Sequence, residues 1–243
     1  MNRESEPARA EPNRGATVSV IVPVLNEAAI LPSCFAPVLT AGREVELIMV
    51  DAGSRDGSAE IARTLGATVL VSPVSQRAAQ MNLGAQTASG DVLVFLHADT
   101  ILPADWLASL RGELRRQSDA LGGVFRRRFL RPSIFLRMTC WLADWRARQF
   151  GWFLGDQTIF VHRATFSALG GYRLMTAFED LDFPLRLKKS GPTILLPVIA
   201  QSSGRRFTAK GPVRQTFADL RLTARFLRHR GAFSTSRTAK HSL

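Results

Sequence analysis

Six carboxylates, one imidazole and one arginine in this chain stand where chemistry on a phosphorylated ligand would need them. Glu27 and Asp51 follow apolar runs, Arg77 opens a helical stretch, and His97-Ala98-Asp99 closes the run Val92-Leu93-Val94-Phe95-Leu96. A carboxylate separated from an imidazole by one residue, at the end of a buried strand, suits a divalent metal holding a phosphorylated ligand. The competing reading is Asp99 as a cap for the next helix and His97 as a packed strand-end residue. Further on, Phe178-Glu179-Asp180-Leu181-Asp182 sets three acids at the start of a helix. They either favour that helix N-terminus, by about 0.3–1 kcal/mol each, or supply a general base.

The elements that position these groups follow from periodicity. Val18 to Val24 is a β-branched strand in which Pro23 marks the end or an irregularity. Asn26-Glu27 opens a helix carrying Ile30 and Leu31. Val45 to Val50, Ala67 to Val71 and Val92 to Leu96 read as further strands, with helices at Ser58 to Leu65 and Arg77 to Ala88. Strands alternating with helices at this spacing imply βαβ units and a mostly parallel sheet. After Asp99 the rhythm changes. Helices are expected over Ala104 to Arg116, Ser133 to Gln149, Phe178 to Lys189 and Phe217 to Leu227, with strands at Gly122 to Phe129, Gln157 to Val161 and Thr193 to Ile199.

In a parallel sheet the strand carboxyl ends share one edge, so Glu27, Asp51, Arg77 and Asp99 would face one crevice. The first βα junction reads Val24-Leu25-Asn26-Glu27-Ala28, without the glycines of a dinucleotide fingerprint, and no Walker loop occurs. A nucleotide held here would be held by side chains and a metal. Asp51 would accept from a base imide N–H, Arg77 would pair with phosphate, and Asp99 would ligate a metal bridging a diphosphate. Each residue also has a plainer reading: a helix start for Asn26 or Glu27, a brace for the Gly53 turn for Asp51, a solvated helix residue for Arg77.

These stretches resemble a known family. Val20-Ile21-Val22-Pro23-Val24-Leu25-Asn26-Glu27, Val50-Asp51-Ala52-Gly53-Ser54-Arg55-Asp56-Gly57-Ser58 and Phe95-Leu96-His97-Ala98-Asp99 look like the opening motifs of family-two glycosyltransferases. Arg77-Ala78-Ala79-Gln80-Met81-Asn82-Leu83-Gly84-Ala85 is similar to their arginine-to-asparagine-glycine helix. Gly155-Asp156-Gln157, Phe178-Glu179-Asp180-Leu181-Asp182 and Ser203-Gly204-Arg205-Arg206-Phe207 are similar to a small bacterial subgroup, the radical-SAM/selenodomain-associated transferases. The resemblance spans roughly Val18 to Phe207. It implies an α/β GT-A fold, a Rossmann-like nucleotide half joined to an acceptor half, and transfer of a sugar from a nucleotide diphosphate donor with inversion. Carried over residue by residue, it implies that Pro23, Asn26, Glu27, Asp51 and Arg77 hold the nucleotide sugar. Asp99 matches the last carboxylate of the family's Asp-x-Asp motif for Mn²⁺ or Mg²⁺, and Asp180 matches the catalytic base beside Glu179. Gln157, Glu179, Arg205 and Arg206 fall on the acceptor or phosphate side.

Two departures matter. His97 stands where many members carry the first Asp, and imidazole is a poorer partner for Mg²⁺ than for Mn²⁺. Gln201-Ser202-Ser203-Gly204-Arg205-Arg206-Phe207 departs from the Gln-x-x-Arg-Trp motif of processive members, which argues for a single transfer.

The totals fit an enzyme of this size. A chain of 243 residues, 46% hydrophobic, has ample core. No apolar stretch of about 18 residues occurs, so no spanning helix is expected. Met1 to Thr17 lacks an apolar signal core and reads as a disordered leader. The division expected is a leader over 1–17, a transferase domain over 18–207 with halves meeting near residue 100, and a basic helix and tail over 208–243. Cys34 and Cys140 are far apart and read as buried free thiols of a cytoplasmic protein. Of the net charge of +12, Arg205 to Lys240 carries +9 and Arg126 to Arg148 carries +6, leaving −3 elsewhere. Without a nucleic-acid-binding signature, nucleic acid is disfavoured as a partner. Two readings stand for Phe217 to Leu227: an in-plane helix meeting an anionic membrane and a lipid-linked acceptor, or a helix covering the sheet with snorkelling arginines.

The leading expectation is thus a metal-dependent inverting glycosyltransferase. A nucleotidyltransferase would instead release pyrophosphate. A non-catalytic basic protein on the same fold would bind liposomes or RNA without metal-dependent donor binding.

Overall fold

The computed structural model of the chain describes residues 16–130, 132–150, 153, 157–175, 178–203 and 221. Its first half follows the expected alternation. Strands Val18–Val24 (β1), Val45–Asp51 (β2), Thr68–Val71 (β3) and Val92–Phe95 (β4) are joined through helices Leu31–Leu39 (α1), Ser58–Thr64 (α2) and Arg77–Thr87 (α3). β1 pairs in parallel with β2 and β4, and β2 with β3. Both faces of β1, β2 and β4 are covered, which explains their unbroken apolar runs. Val20, Val22 and Val24 pack with Leu31, Phe35 and Trp106 on one face, while Ile21 packs with Ala78, Met81 and Phe95 on the other. α3 comes close to the sheet because residue 84 is glycine: a Cβ there would collide with Ile21 Cγ2.

The second half adds Thr100–Ile101 (β5), Trp106–Arg116 (α4), Gly122–Phe129 (β6), Ile134–Phe150 (α5), Ile159–His162 (β7), Arg163–Ala168 (α6), Glu179–Ser190 (α7) and Thr193–Ser202 (β8). The eight strands form one sheet in the order β3-β2-β1-β4-β7-β6-β8-β5. β7 runs antiparallel to β4 and β6, β5 antiparallel to β8, and β6 parallel to β8. The sheet is therefore parallel through its first four strands and mixed beyond them.

The structure departs from the sequence expectations at three places. The helix expected to open at Asn26-Glu27 begins at Leu31, because Asn26 takes a left-handed φ of 56° and residues 27 to 30 form a turn closed by Ile30 N–H on the Glu27 carbonyl at 3.0 Å. β5 was not foreseen, since two residues carry no period. Thr17, assigned to the leader, is tied to the fold: its hydroxyl donates to Asp91 Oδ2 at 2.8 Å. Apart from Arg221, the expected helix over Phe217 to Leu227 lies outside the described residues, as do Gly155, Asp156, Arg205 and Arg206.

Candidate active site

The site is built outward from α3, whose faces do different work. Gln80, one turn after its N-terminal cap, is buried and donates through Nε2 to the Val24 carbonyl at 3.0 Å and the Val50 carbonyl at 2.7 Å. This amide fastens the ends of β1 and β2 to the helix. Asn82 donates to the Tyr172 carbonyl at 2.8 Å and accepts from its N–H at 2.9 Å, as a paired backbone would. Gly171 makes room for it, because a Cβ there would lie 2.7 Å from Asn82 Oδ1. Gln76 Nε2 donates to the Met175 carbonyl at 2.6 Å. Three side-chain amides thus fix the strand ends and the 172–175 segment around Arg77 and Met81.

Those two residues line an open crevice with Pro23 from β1, His97 beyond β4, Gln157 before β7, Tyr172, and Asp180 from the first turn of α7. Of the residues singled out by sequence, the crevice lining gathers Pro23, Arg77, His97, Gln157 and Asp180. Across it, Arg77 Nη1 lies 3.8 Å from Asp180 Oδ2. Gln157 is buried and donates to the Phe125 carbonyl at 3.3 Å, which anchors the β7 entry to β6. Tyr172 and Met81 carried no sequence signal as site residues. The single tyrosine of the chain was invisible because its placement depends on Asn82, far away in sequence.

A second network adjoins β1 and β2. The Asp51 carboxylate accepts from Gly53 N–H at 3.1 Å, Ser54 N–H at 3.0 Å and the Ser54 hydroxyl. Asn26 Oδ1 accepts from Arg55 N–H at 2.8 Å, and Asn26 N–H donates to the Ser54 hydroxyl at 2.9 Å. Glu27 N–H donates to the Ser58 hydroxyl at 3.0 Å. Asp51 therefore braces the turn, as its plainer reading held, and both carboxylate oxygens already accept hydrogen bonds. Asp56 accepts from Ser58 and Ala28, and the Ser58 hydroxyl foremost, then the Ala28 N–H, hold its carboxyl below the usual range.

Asp99, two residues after His97, is not among the residues lining the crevice. Its carbonyl accepts from Ser203 N–H at 3.0 Å and its Oδ2 from the Ser203 hydroxyl at 2.9 Å, so the end of β8 meets the start of β5 at this carboxylate. Cys34 lies beneath, its thiol 3.7 Å from the His97 carbonyl. Burial first, then the nearby Asp99 charge, push that thiol up to about 12, so it stays protonated and inert.

At the head of α7, Glu179 is buried and Asp180 part-exposed. Asp182 has the structural role: it accepts from Arg186 Nε at 2.7 Å and Arg173 Nη1 at 3.3 Å. The residue before the pair, Phe178, has a φ of 73°. Asn26 and Phe178 are the two non-glycine residues with positive φ among those described, and each adjoins candidate site residues. Strained backbone of this kind concentrates at functional sites. Burial, followed by the charges of Asp180 and Glu179, pushes the Tyr172 phenol well above its ordinary value, so it stays a neutral hydrogen-bonding group in the crevice wall.

Comparison with known proteins identifies the family. Residues 19–169 match Glycosyl transferase family 2. The chain belongs to that family. This family-2 glycosyltransferase is 31% identical over 193 residues to the PGL/p-HBAD biosynthesis glycosyltransferase of Mycobacterium bovis, covering 69% of this chain and 68% of that one. It is 33% identical over 122 residues to undecaprenyl-phosphate 4-deoxy-4-formamido-L-arabinose transferase of Aeromonas hydrophila, covering 46% of this chain and 37% of the other. Among solved structures, it is similar to the mannosyltransferase PcManGT from Pyrobaculum calidifontis in complex with GDP-Man and Mn²⁺, with a TM-score of 0.63 and 20% identity. That likeness covers 79% of this chain and 58% of the mannosyltransferase, and it establishes a GT-A fold. The reaction of the family-2 glycosyltransferase is glycosyl transfer.

Proposed function

We propose that the chain is a metal-dependent, inverting glycosyltransferase that moves one sugar from a nucleotide diphosphate sugar to an acceptor hydroxyl. The observation that carries this reading is the facing pair in the crevice, Arg77 and Asp180, with Nη1 3.8 Å from Oδ2. Inversion needs a base on the face opposite the leaving group, and the departing diphosphate needs positive charge. Asp180 is assigned as the base that takes the acceptor proton. Arg77 is assigned to the diphosphate, with Pro23, Asn26, Glu27 and Asp51 on the nucleotide side. For Asp51 the role is indirect, through the Ala52–Ser54 turn that it braces. Gln157 and Glu179 are assigned to the acceptor side, together with Arg205 and Arg206 of the Gln201–Phe207 sequence motif.

A divalent cation fits the donor set. Among the described residues, no three His, Cys, Asp or Glu side chains group as ligands for an ion. Magnesium-type sites on nucleotides commonly use one or two protein carboxylates, with phosphate oxygens completing the shell. Asp99 would hold Mn²⁺ or Mg²⁺ here, with His97 beside it, and the Ser203 hydroxyl already orients Asp99 Oδ2. The ion, when bound, would stabilise the charge that develops on the leaving diphosphate. The mannosyltransferase with GDP-Man and Mn²⁺ is in keeping with this assignment.

The motif at Gln201 to Phe207 supports single rather than processive transfer, and the motifs around Gly155, Phe178 and Ser203 support the radical-SAM-associated subgroup. A relative named for undecaprenyl phosphate supports a lipid-linked acceptor. Two buried free thiols, Cys34 and Cys140, are in keeping with a cytoplasmic location. The test is a thermal-shift panel of UDP-, GDP- and dTDP-sugars with Mn²⁺ and Mg²⁺, followed by product analysis. A metal-dependent shift and release of a nucleoside diphosphate are expected. Release of pyrophosphate, or no shift with any donor, would contradict the reading.

A further inference from the structure

Helix α5 presents two opposite faces whose composition does not suit a helix bathed in water. Its inner edge, Leu136, Cys140, Ala143 and Ala147, is buried at helical spacing. Its one acid, Asp144, is also buried and accepts from Arg126 Nε at 3.0 Å and Arg128 Nη2 at 2.7 Å on β6, so the helix is locked to the sheet by that edge. The outer edge is apolar too. Ile134 is 88% exposed, Trp141 64% and Met138 56%, and Leu142 and Trp145 are also exposed. These five recur at intervals of four, three, one and three residues, which lines them up as one stripe. Arg137 and Arg148 are exposed along the border of the stripe, and α5 exposes no acidic side chain.

An apolar stripe of this extent marks an interaction surface. Its chemistry selects the partner. Two tryptophans, aliphatic side chains and bordering arginines without acids are the composition of a helix that lies in the plane of a bilayer, with rings at the headgroup level and guanidinium groups on phosphate. No described helix is long and apolar enough to cross a membrane, so an in-plane position is the one open to α5. We propose that the Ile134–Trp145 face of α5 is a docking surface for an anionic lipid membrane. This places the contact on the folded domain, independently of any role of the C-terminal basic segment, and it does not depend on the reaction assigned above. It also bears on the site. Ala147, on the inner edge of α5, shares a core cluster with Phe95, Ile159 and Tyr172, which line the crevice, so α5 packs against the same core that carries the crevice.

The test uses the full chain with sedimented vesicles of phosphatidylcholine alone or mixed with phosphatidylglycerol. Wild type is expected to partition onto the anionic vesicles. The double variant W141S/W145S should bind at least about tenfold more weakly, and R137E/R148E should lose the preference for anionic over neutral vesicles. Circular dichroism and thermal midpoints should match wild type, because all four side chains are exposed. Undiminished binding by W141S/W145S would overturn the proposal, as would failure of wild type to bind either vesicle. A dimer that W141S/W145S dissociates while vesicle binding persists would assign the stripe to a second copy instead. Binding of RNA through these residues without vesicle binding would likewise overturn it.

Discussion

Arg77 Nη1 and Asp180 Oδ2 face each other across the crevice at 3.8 Å, from the first turns of α3 and α7, with side chains 29% and 31% exposed. An ion pair this exposed contributes at most about 1 kcal/mol. A diphosphate, with more negative charge and better hydrogen-bond geometry, will therefore draw Arg77 from Asp180, and the carboxylate then takes the acceptor proton. Arg77→Ala should weaken donor binding by about 10- to 100-fold, the loss of a charge-assisted hydrogen bond. Arg77→Lys should fall between, since it keeps charge and loses the planar fork. Titration calorimetry with the donor and Mn²⁺ checks both; unchanged affinity in Arg77→Ala would remove the diphosphate assignment.

Asp99 and His97 are predicted to differ. Asp99 is a hard oxygen donor oriented by Ser203, whereas the imidazole of His97 is a weaker partner for such ions. Asp99→Ala should abolish the part of donor affinity that depends on Mn²⁺, and His97→Ala should retain most of it. Donor titrations with and without Mn²⁺ read the difference. A larger loss in His97→Ala would reverse the roles.

Asn26 carries a conformational burden that its side chain offsets. Its φ is 56°, and its Oδ1 holds Arg55 N–H at 2.8 Å. Asn26→Ala should cost about 2–3 kcal/mol, combining left-handed strain with the lost hydrogen bond. Asn26→Gly loses only the bond and should cost about 1 kcal/mol. Urea denaturation of both variants would show whether that order holds.

Acid should weaken the fold through Glu46. Burial pushes its carboxyl up, but hydrogen bonds from the Ser19 hydroxyl and from the Ser89 N–H and hydroxyl outweigh it and hold it below the ordinary 4.5. A folded value below the unfolded one gives stability that is present above 4.5 and lost as pH falls through the folded value. The stability advantage of wild type over Glu46→Gln should thus be constant near neutrality and shrink below that pH. Denaturant midpoints across the acid range would show it, and an advantage that grew on acidification would contradict the sign.

Much of this was legible beforehand, for identifiable reasons. β1, β2 and β4 are buried on both faces, so their apolar runs announced themselves, and the polar residues ending them pointed to a common edge. Of Glu27, Asp51, Arg77 and Asp99, expected at one crevice, Arg77 lines it, and the other three are not among its lining residues; Pro23, His97, Gln157 and Asp180 are. The start of α1 was misplaced because Asn26 turns left-handed, a backbone choice that composition does not reveal. Gln80 and Asn82 escaped notice as fasteners because each acts on a carbonyl brought near only by the sheet. Sequence offered Asp51 both as a contact to a nucleotide base and as a brace for the Gly53 turn, and its hydrogen bonds display the brace. For Trp141 and Trp145, only the packing of α5 shows that both are exposed.

The most direct measurement is turnover and donor affinity in Asp180→Asn. Loss of a general base predicts a fall in kcat of about 10²- to 10⁴-fold. Donor affinity should stay close to wild type, because the contacts assigned to the diphosphate belong to Arg77 and Asp99. A variant with ordinary turnover would contradict the account at its centre.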